Sequence, residues 1–129
     1  MSIELTMLAF AIVFGLVQLV LVAQVKNRQL GYIWAAGPRD EPRPPVAGIP
    51  GRLDRAFANF LETFPFFAAA VLAVVLTKTN TPHTAMGAAL YFWARVAYLP
   101  IYIVGIPYLR TLVWVVSFWG LLQVLEALW

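Results

Sequence analysis

The sequence contains no cysteine, which excludes a disulfide framework, a cysteine-ligated metal and a thiol nucleophile of the protein's own. Histidine is nearly absent. The single one, His83, stands beside Pro82 with no carboxylate near it in sequence, and reads as a solvated turn residue rather than a metal ligand or base. No metal site is expected. Charge is the third shortage: 12% of the 129 residues are charged, whereas 62% are hydrophobic and the mean hydropathy is +0.80. A soluble domain cannot cover itself with polar surface at that composition, so the chain reads as an integral membrane protein.

A net charge of +3 invites a nucleic-acid reading, but six of the nine basic residues lie between Lys26 and Arg55, flanked by apolar segments. Membrane topology accounts for them, and no nucleic-acid partner is expected. Leu5–Val25 is 21 residues without a charge, enough at about 1.5 Å per residue to cross a hydrocarbon core of about 30 Å. Ahead of it, Met-Ser-Ile-Glu lacks a basic n-region and a small-residue cleavage site, so this helix is expected to be retained. From Lys26 to Arg52 prolines and glycines are dense enough to predict a loop without regular helix. Three further apolar segments follow. The expected architecture is a single all-α domain over 1–129, a left-handed bundle of four transmembrane helices at about 5–25, 53–77, 85–104 and 107–128. By the positive-inside rule the 26–52 loop is cytoplasmic and both termini are on the other side.

Two polar constellations interrupt the apolar pattern. Arg55, Asn59 and Glu62 stand at i, i+4 and i+7, so a helix stacks them on one face, and Glu62 is followed by fifteen uncharged residues. A carboxylate at such a position costs several kcal/mol to bury unless it is partnered, which marks a functional or tightly paired site. Three residues on, Pro65 removes one backbone hydrogen bond and favours a kink. The second constellation is Arg95, Tyr98 and Tyr102 at i, i+3 and i+7. Counted from the loop-side helix ends, Arg95 and Glu62 reach a similar depth, about 10 to 14 Å, and are predicted partners. Arg110 falls in the first turn of the fourth helix, in the same zone. The tryptophans, Trp114 among them, read as lipid-facing or packing aromatics.

The segment Arg55-Ala-Phe-Ala-Asn-Phe-Leu-Glu-Thr-Phe-Pro65, with Ala94-Arg-Val-Ala-Tyr-Leu-Pro-Ile-Tyr102 and the following Arg110, resembles the family of membrane-associated proteins in eicosanoid and glutathione metabolism. The likeness is to a bacterial-type member, for which the membrane would be the cell inner membrane. It implies a homotrimer with glutathione as co-substrate in a cytoplasm-facing cleft between subunits. Arg55, Asn59, Glu62, Arg95, Tyr98 and Tyr102 would take the tripeptide's polar groups, with Arg28 as a further contact. Arg110 would stabilise its thiolate against a lipophilic small molecule from the lipid bilayer. The chemistry of the residues agrees: several arginines, one carboxylate and amide or phenol donors complement two carboxylates, an ammonium and a thiol. A small four-helix exporter using a membrane glutamate, and a non-catalytic structural or regulatory trimer, are the alternatives.

Overall fold

The computed structural model describes residues 1–31, 36–38 and 48–129; the loop cations Arg39 and Arg43 lie outside them. Among the described residues there are four helices and no strand: α1 (Ile3–Leu30), α2 (Gly48–Leu76), α3 (Pro82–Val104) and α4 (Pro107–Glu126). All four are long and apolar enough to cross a membrane. Their outer surfaces carry exposed Phe10, Val17, Phe66, Trp93, Leu112 and Trp119, the inverse of a soluble protein and the arrangement that hydrocarbon favours. The chain is an all-α, multi-pass integral membrane protein.

Helix ends follow local chemistry rather than charge. The Ser2 hydroxyl caps α1 by accepting from the Leu5 amide at 3.2 Å. At 28 residues this helix is about 42 Å long, and it runs past the predicted exit at Val25. Lys26-Asn-Arg-Gln-Leu30 leaves the apolar span but is still a competent helix sequence, and the helix stops where Gly31 adopts a φ of 95°. The expectation of no regular helix in 26–52 is corrected at both edges, because α2 already starts at Gly48. Pro50 falls in its first turn, where a missing N–H leaves no bond unmade. The α-helix continues through Pro65. A capping box between Thr81 and Thr84 starts α3, and Gly105 in the left-handed region ends it. Pro107 then opens α4.

The central helices α2 and α3 each touch every other helix; α1 and α4, among the described residues, do not touch each other. The core is Phe67, Val71, Val74, Ala88, Tyr91 and Val124, with Phe67 stacked on Tyr91 at a ring separation of 4.0 Å. The buried Tyr91 hydroxyl is satisfied by Thr63 at 2.9 Å. The most extensive contact is between α3 and α4, and its cause is a pair of glycines. A Cβ on Gly87 would lie 2.6 Å from the Gly120 carbonyl oxygen, and one on Gly120 would lie 2.5 Å from that of Gly87. Only backbones without side chains can approach so closely.

The end away from the loop is closed by a buried carboxylate. Glu4, 3% exposed in the first turn of α1, accepts from Asn80 Nδ2 at 3.0 Å and from Thr84 Oγ1 at 2.8 Å. Those donors sit at the start of α3, so Glu4 ties two helix N-terminal ends together. Nearby, His83 Nε2 meets Glu126 Oε2 at 3.2 Å, both side chains exposed. The reading of His83 as lacking a carboxylate is corrected, since the partner comes from the far end of α4, 43 residues on.

Candidate functional site

Leu53, Ala56, Phe60 and Phe67 of α2, with the polar Thr63 among them, turn into the core. The 3.6-residue period then places Arg55, Asn59, Glu62 and Phe66 along the adjoining stripe, at the margin of the bundle. Opposite that stripe, α3 presents Tyr98 and Tyr102, whose rings are 5.6 Å apart, and α4 presents Arg110 and Trp114. Together Asn59, Tyr98, Tyr102, Arg110, Thr111 and Trp114 line an open cleft of about 300 Å³ near the loop end of the bundle.

Three arginines build this cleft in different ways. Arg95 is 2% exposed and does not line it; its Nη1 donates to Asn59 Oδ1 at 2.9 Å, and its guanidinium covers the Tyr98 ring at 4.4 Å. Since Asn59 spends its carbonyl oxygen on Arg95, the amide donors are what it has left to offer the cleft. The buried Arg95 Nε has no hydrogen-bond partner among the described residues. Arg55 Nε donates to the Tyr102 hydroxyl at 3.3 Å, and the Arg110 guanidinium lies over the Tyr102 ring at 4.9 Å. Tyr102 is therefore held between two cations, one from α2 and one from α4. One turn earlier on α2, Arg52 Nη1 donates to the Ile103 carbonyl at 2.7 Å, satisfying the last turn of α3 and fixing the corner from which α4 leaves.

The predicted Glu62–Arg95 pair is corrected. Among the described residues, ion pairs within 4.0 Å join only Lys26 to Asp54 and His83 to Glu126. Asn59 takes the guanidinium, while Glu62 lies further along α2 and is exposed. Equal depth did not ensure a meeting, because Arg95 is buried inside the bundle whereas the stripe that carries Glu62 runs along its margin, facing α4. There Glu62 lines, with Thr63, a groove of about 700 Å³ whose other walls are apolar, among them Phe66, Ala69 and Ala73 of α2 and Phe118, Leu121 and Leu125 of α4. Trp114 lines both this groove and the polar cleft, so the two spaces meet at its indole.

Arg28 is exposed on α1, the helix that does not reach α4, and within one chain it is not brought to the cleft. Thr111 and Trp114 are lining residues that sequence reasoning missed. The available signal was that Trp114 is one turn beyond Arg110 on the same helical face.

A search among curated proteins returns no match. A family model described as the MAPEG family matches residues 7–126, a span that takes in all four helices and both polar constellations. The match covers nearly the whole chain, and four helices fit for a membrane accompany it: the chain belongs to the MAPEG family of membrane proteins in glutathione and eicosanoid metabolism.

Proposed function

We propose that this protein binds glutathione in the cleft between α2, α3 and α4 and activates its thiol against a lipophilic electrophile, as a glutathione transferase or peroxidase-type enzyme. The observation that carries the reading is the place of Trp114, which lines both a cleft bounded by a cation, an amide and two phenols and a largely apolar groove. A charged tripeptide suits the first space and a bilayer-dissolved co-substrate the second. Arg55, Arg110 and the Asn59 amide are donors for carboxylates, and Glu62 is an acceptor for the ammonium. Arg95 acts from behind, fixing the orientation of Asn59. The cleft is open on one side in a single chain, which is consistent with a homotrimer in which a neighbour closes it. The charge of the 26–52 loop favours its placement in the cytoplasm, with both termini across the membrane.

Arg110 is the group for the chemical step. A cation beside the thiol lowers its pKa from about 8.5, so that at neutral pH more of it is thiolate. The thiol proton leaves to solvent, and the sulfur lone pair attacks the electrophilic carbon. A C–S bond forms as the bond to the leaving group breaks and the departing anion takes its electron pair.

Calorimetric titration of the detergent-solubilised protein with glutathione tests binding. Heat is expected from the wild type and loss of binding from Asn59→Ala and Arg95→Ala; binding that survives both substitutions removes this cleft as the site. Conjugation of a chlorinated aromatic then reports turnover.

A second reading has one observation in its favour. Among the described residues Glu62 forms no ion pair with an arginine, and it borders a largely apolar groove, as the carboxylate of a proton-coupled exporter of lipophilic cations would. Proton-driven uptake of such a cation into proteoliposomes, abolished by Glu62→Gln, would favour export over conjugation.

A further inference from the structure

On the side of the bundle away from the cleft, α1 and α2 leave a second groove, of about 290 Å³, at the loop end. Leu19, Val22, Ala23 and Phe57 form its apolar part, and Lys26 and Asp54 stand at its polar rim. Lys26 is the first charge after an uncharged span that begins at Leu5, so this rim lies where hydrocarbon gives way to headgroups. The Lys26 Nζ to Asp54 Oδ2 distance is 3.6 Å, and the side chains are 37% and 38% exposed. That is longer than the roughly 2.7 to 2.9 Å of a closed charge-assisted hydrogen bond. A half-exposed pair at such a separation contributes little to folding, and both ions keep the capacity to bond a visitor.

We propose that this groove binds a zwitterionic glycerophospholipid with a primary ammonium, that is, a phosphatidylethanolamine. Its phosphate meets the Lys26 ammonium and its own ammonium meets the Asp54 carboxylate. One acyl chain lies along α1 from Lys26 toward Leu19, a run of about 10 Å. The charges decide the headgroup. An anionic lipid brings a negative charge to Asp54 with nothing to neutralise it. A choline headgroup carries a positive charge but no N–H to donate to the carboxylate. Only the primary ammonium matches both members of the pair. The groove is separate from the cleft: none of its residues lines the cleft, and among the described residues α1 does not touch α4.

Native mass spectrometry of the full chain, titrated in detergent with phosphatidylethanolamine, phosphatidylcholine and phosphatidylglycerol of matched acyl chains, tests the proposal. Phosphatidylethanolamine should be retained about tenfold over the other two, the value of one charge-assisted hydrogen bond. Asp54→Asn should abolish discrimination between ethanolamine and choline, and Lys26→Gln should lower retention of all three lipids, which share the phosphate. Equal retention in the wild type overturns the proposal, as does a preference that survives both substitutions. Retention of none, the result expected if a second copy of the chain covers the groove, overturns it too. Unfolding midpoints are measured for each variant; where one fails to fold, the comparison of headgroups on the wild type decides alone.

Discussion

The bond between Arg95 and Asn59 makes the most demanding prediction, because it separates a residue's part in folding from its part in binding. Arg95 is buried, its Nε lacks a partner among the described residues, and its Nη1 donates to Asn59 at 2.9 Å. In Asn59→Ala the guanidinium stays buried with little beyond the Tyr98 ring face at 4.4 Å to compensate it. A lost hydrogen bond to a charged group, with its donor left dry, should cost about 2 to 3 kcal/mol. Arg95→Met should cost less, about 1 kcal/mol, because the thioether fills the space of the apolar stem and the remaining half-buried amide finds water. The double variant should then be about as stable as Arg95→Met alone, a coupling of about 2 kcal/mol between the two positions. Reversible unfolding of the detergent-solubilised chain measures the stabilities, and calorimetric titration measures glutathione binding in the same samples. Stability should return in the double variant while binding should not. Effects that add to within about 0.5 kcal/mol would refute the coupling, and with it the claim that Arg95 acts by orienting Asn59.

Other outcomes follow from the same geometry. Gly87→Ala puts a methyl group 2.6 Å from the Gly120 carbonyl oxygen, so it should force α3 from α4 and cost about 1 to 3 kcal/mol in the same unfolding assay, whereas a helix-propensity gain alone would stabilise. Arg110→Gln keeps a shorter polar side chain with N–H donors but removes the charge, so the thiol pKa of bound glutathione should rise toward about 8.5 and the rising limb of the pH–rate profile should move to higher pH. An unchanged limb would take Arg110 out of thiolate stabilisation. Glu4→Leu should cost about 2 kcal/mol or more by stranding the Asn80 and Thr84 donors, and faster amide hydrogen exchange at the start of α3 would locate the damage.

What could be read from the sequence was whatever repeats along one helix. The stripe Arg55–Asn59–Glu62 lies on α2, the pair of tyrosines lies on α3, and the four helices are long and apolar enough to span, as a 3.6-residue period and a membrane thickness lead one to expect. Relations between helices were less accessible. The facing direction of Glu62 depends on how α2 is rotated against α4, and no count of residues from the membrane surface supplies that angle. Gly87 and Gly120 acquire meaning only once the two helices are in contact. Nothing local in the sequence ties Glu4 to Asn80 and Thr84, its donors, which lie more than 70 residues away. The end of α1 was missed for a different reason: the sequence marks leaving the hydrocarbon with a lysine and leaving the helix with a glycine, and here the two events are five residues apart.

The glycine seam also bears on how the site comes into being. α3 and α4 are joined by a two-residue turn, Gly105-Ile106, and their backbones meet again at Gly87 and Gly120, so this hairpin is assembled from contacts between neighbours in the chain. Such contacts carry a small loop-closure entropy and form quickly. Tyr102 and Arg110 both belong to the hairpin, on either side of its turn. Their mutual geometry is thus a property of the hairpin itself, to which α2 adds Asn59 at Arg95 and the Arg52 guanidinium at the exposed end of α3.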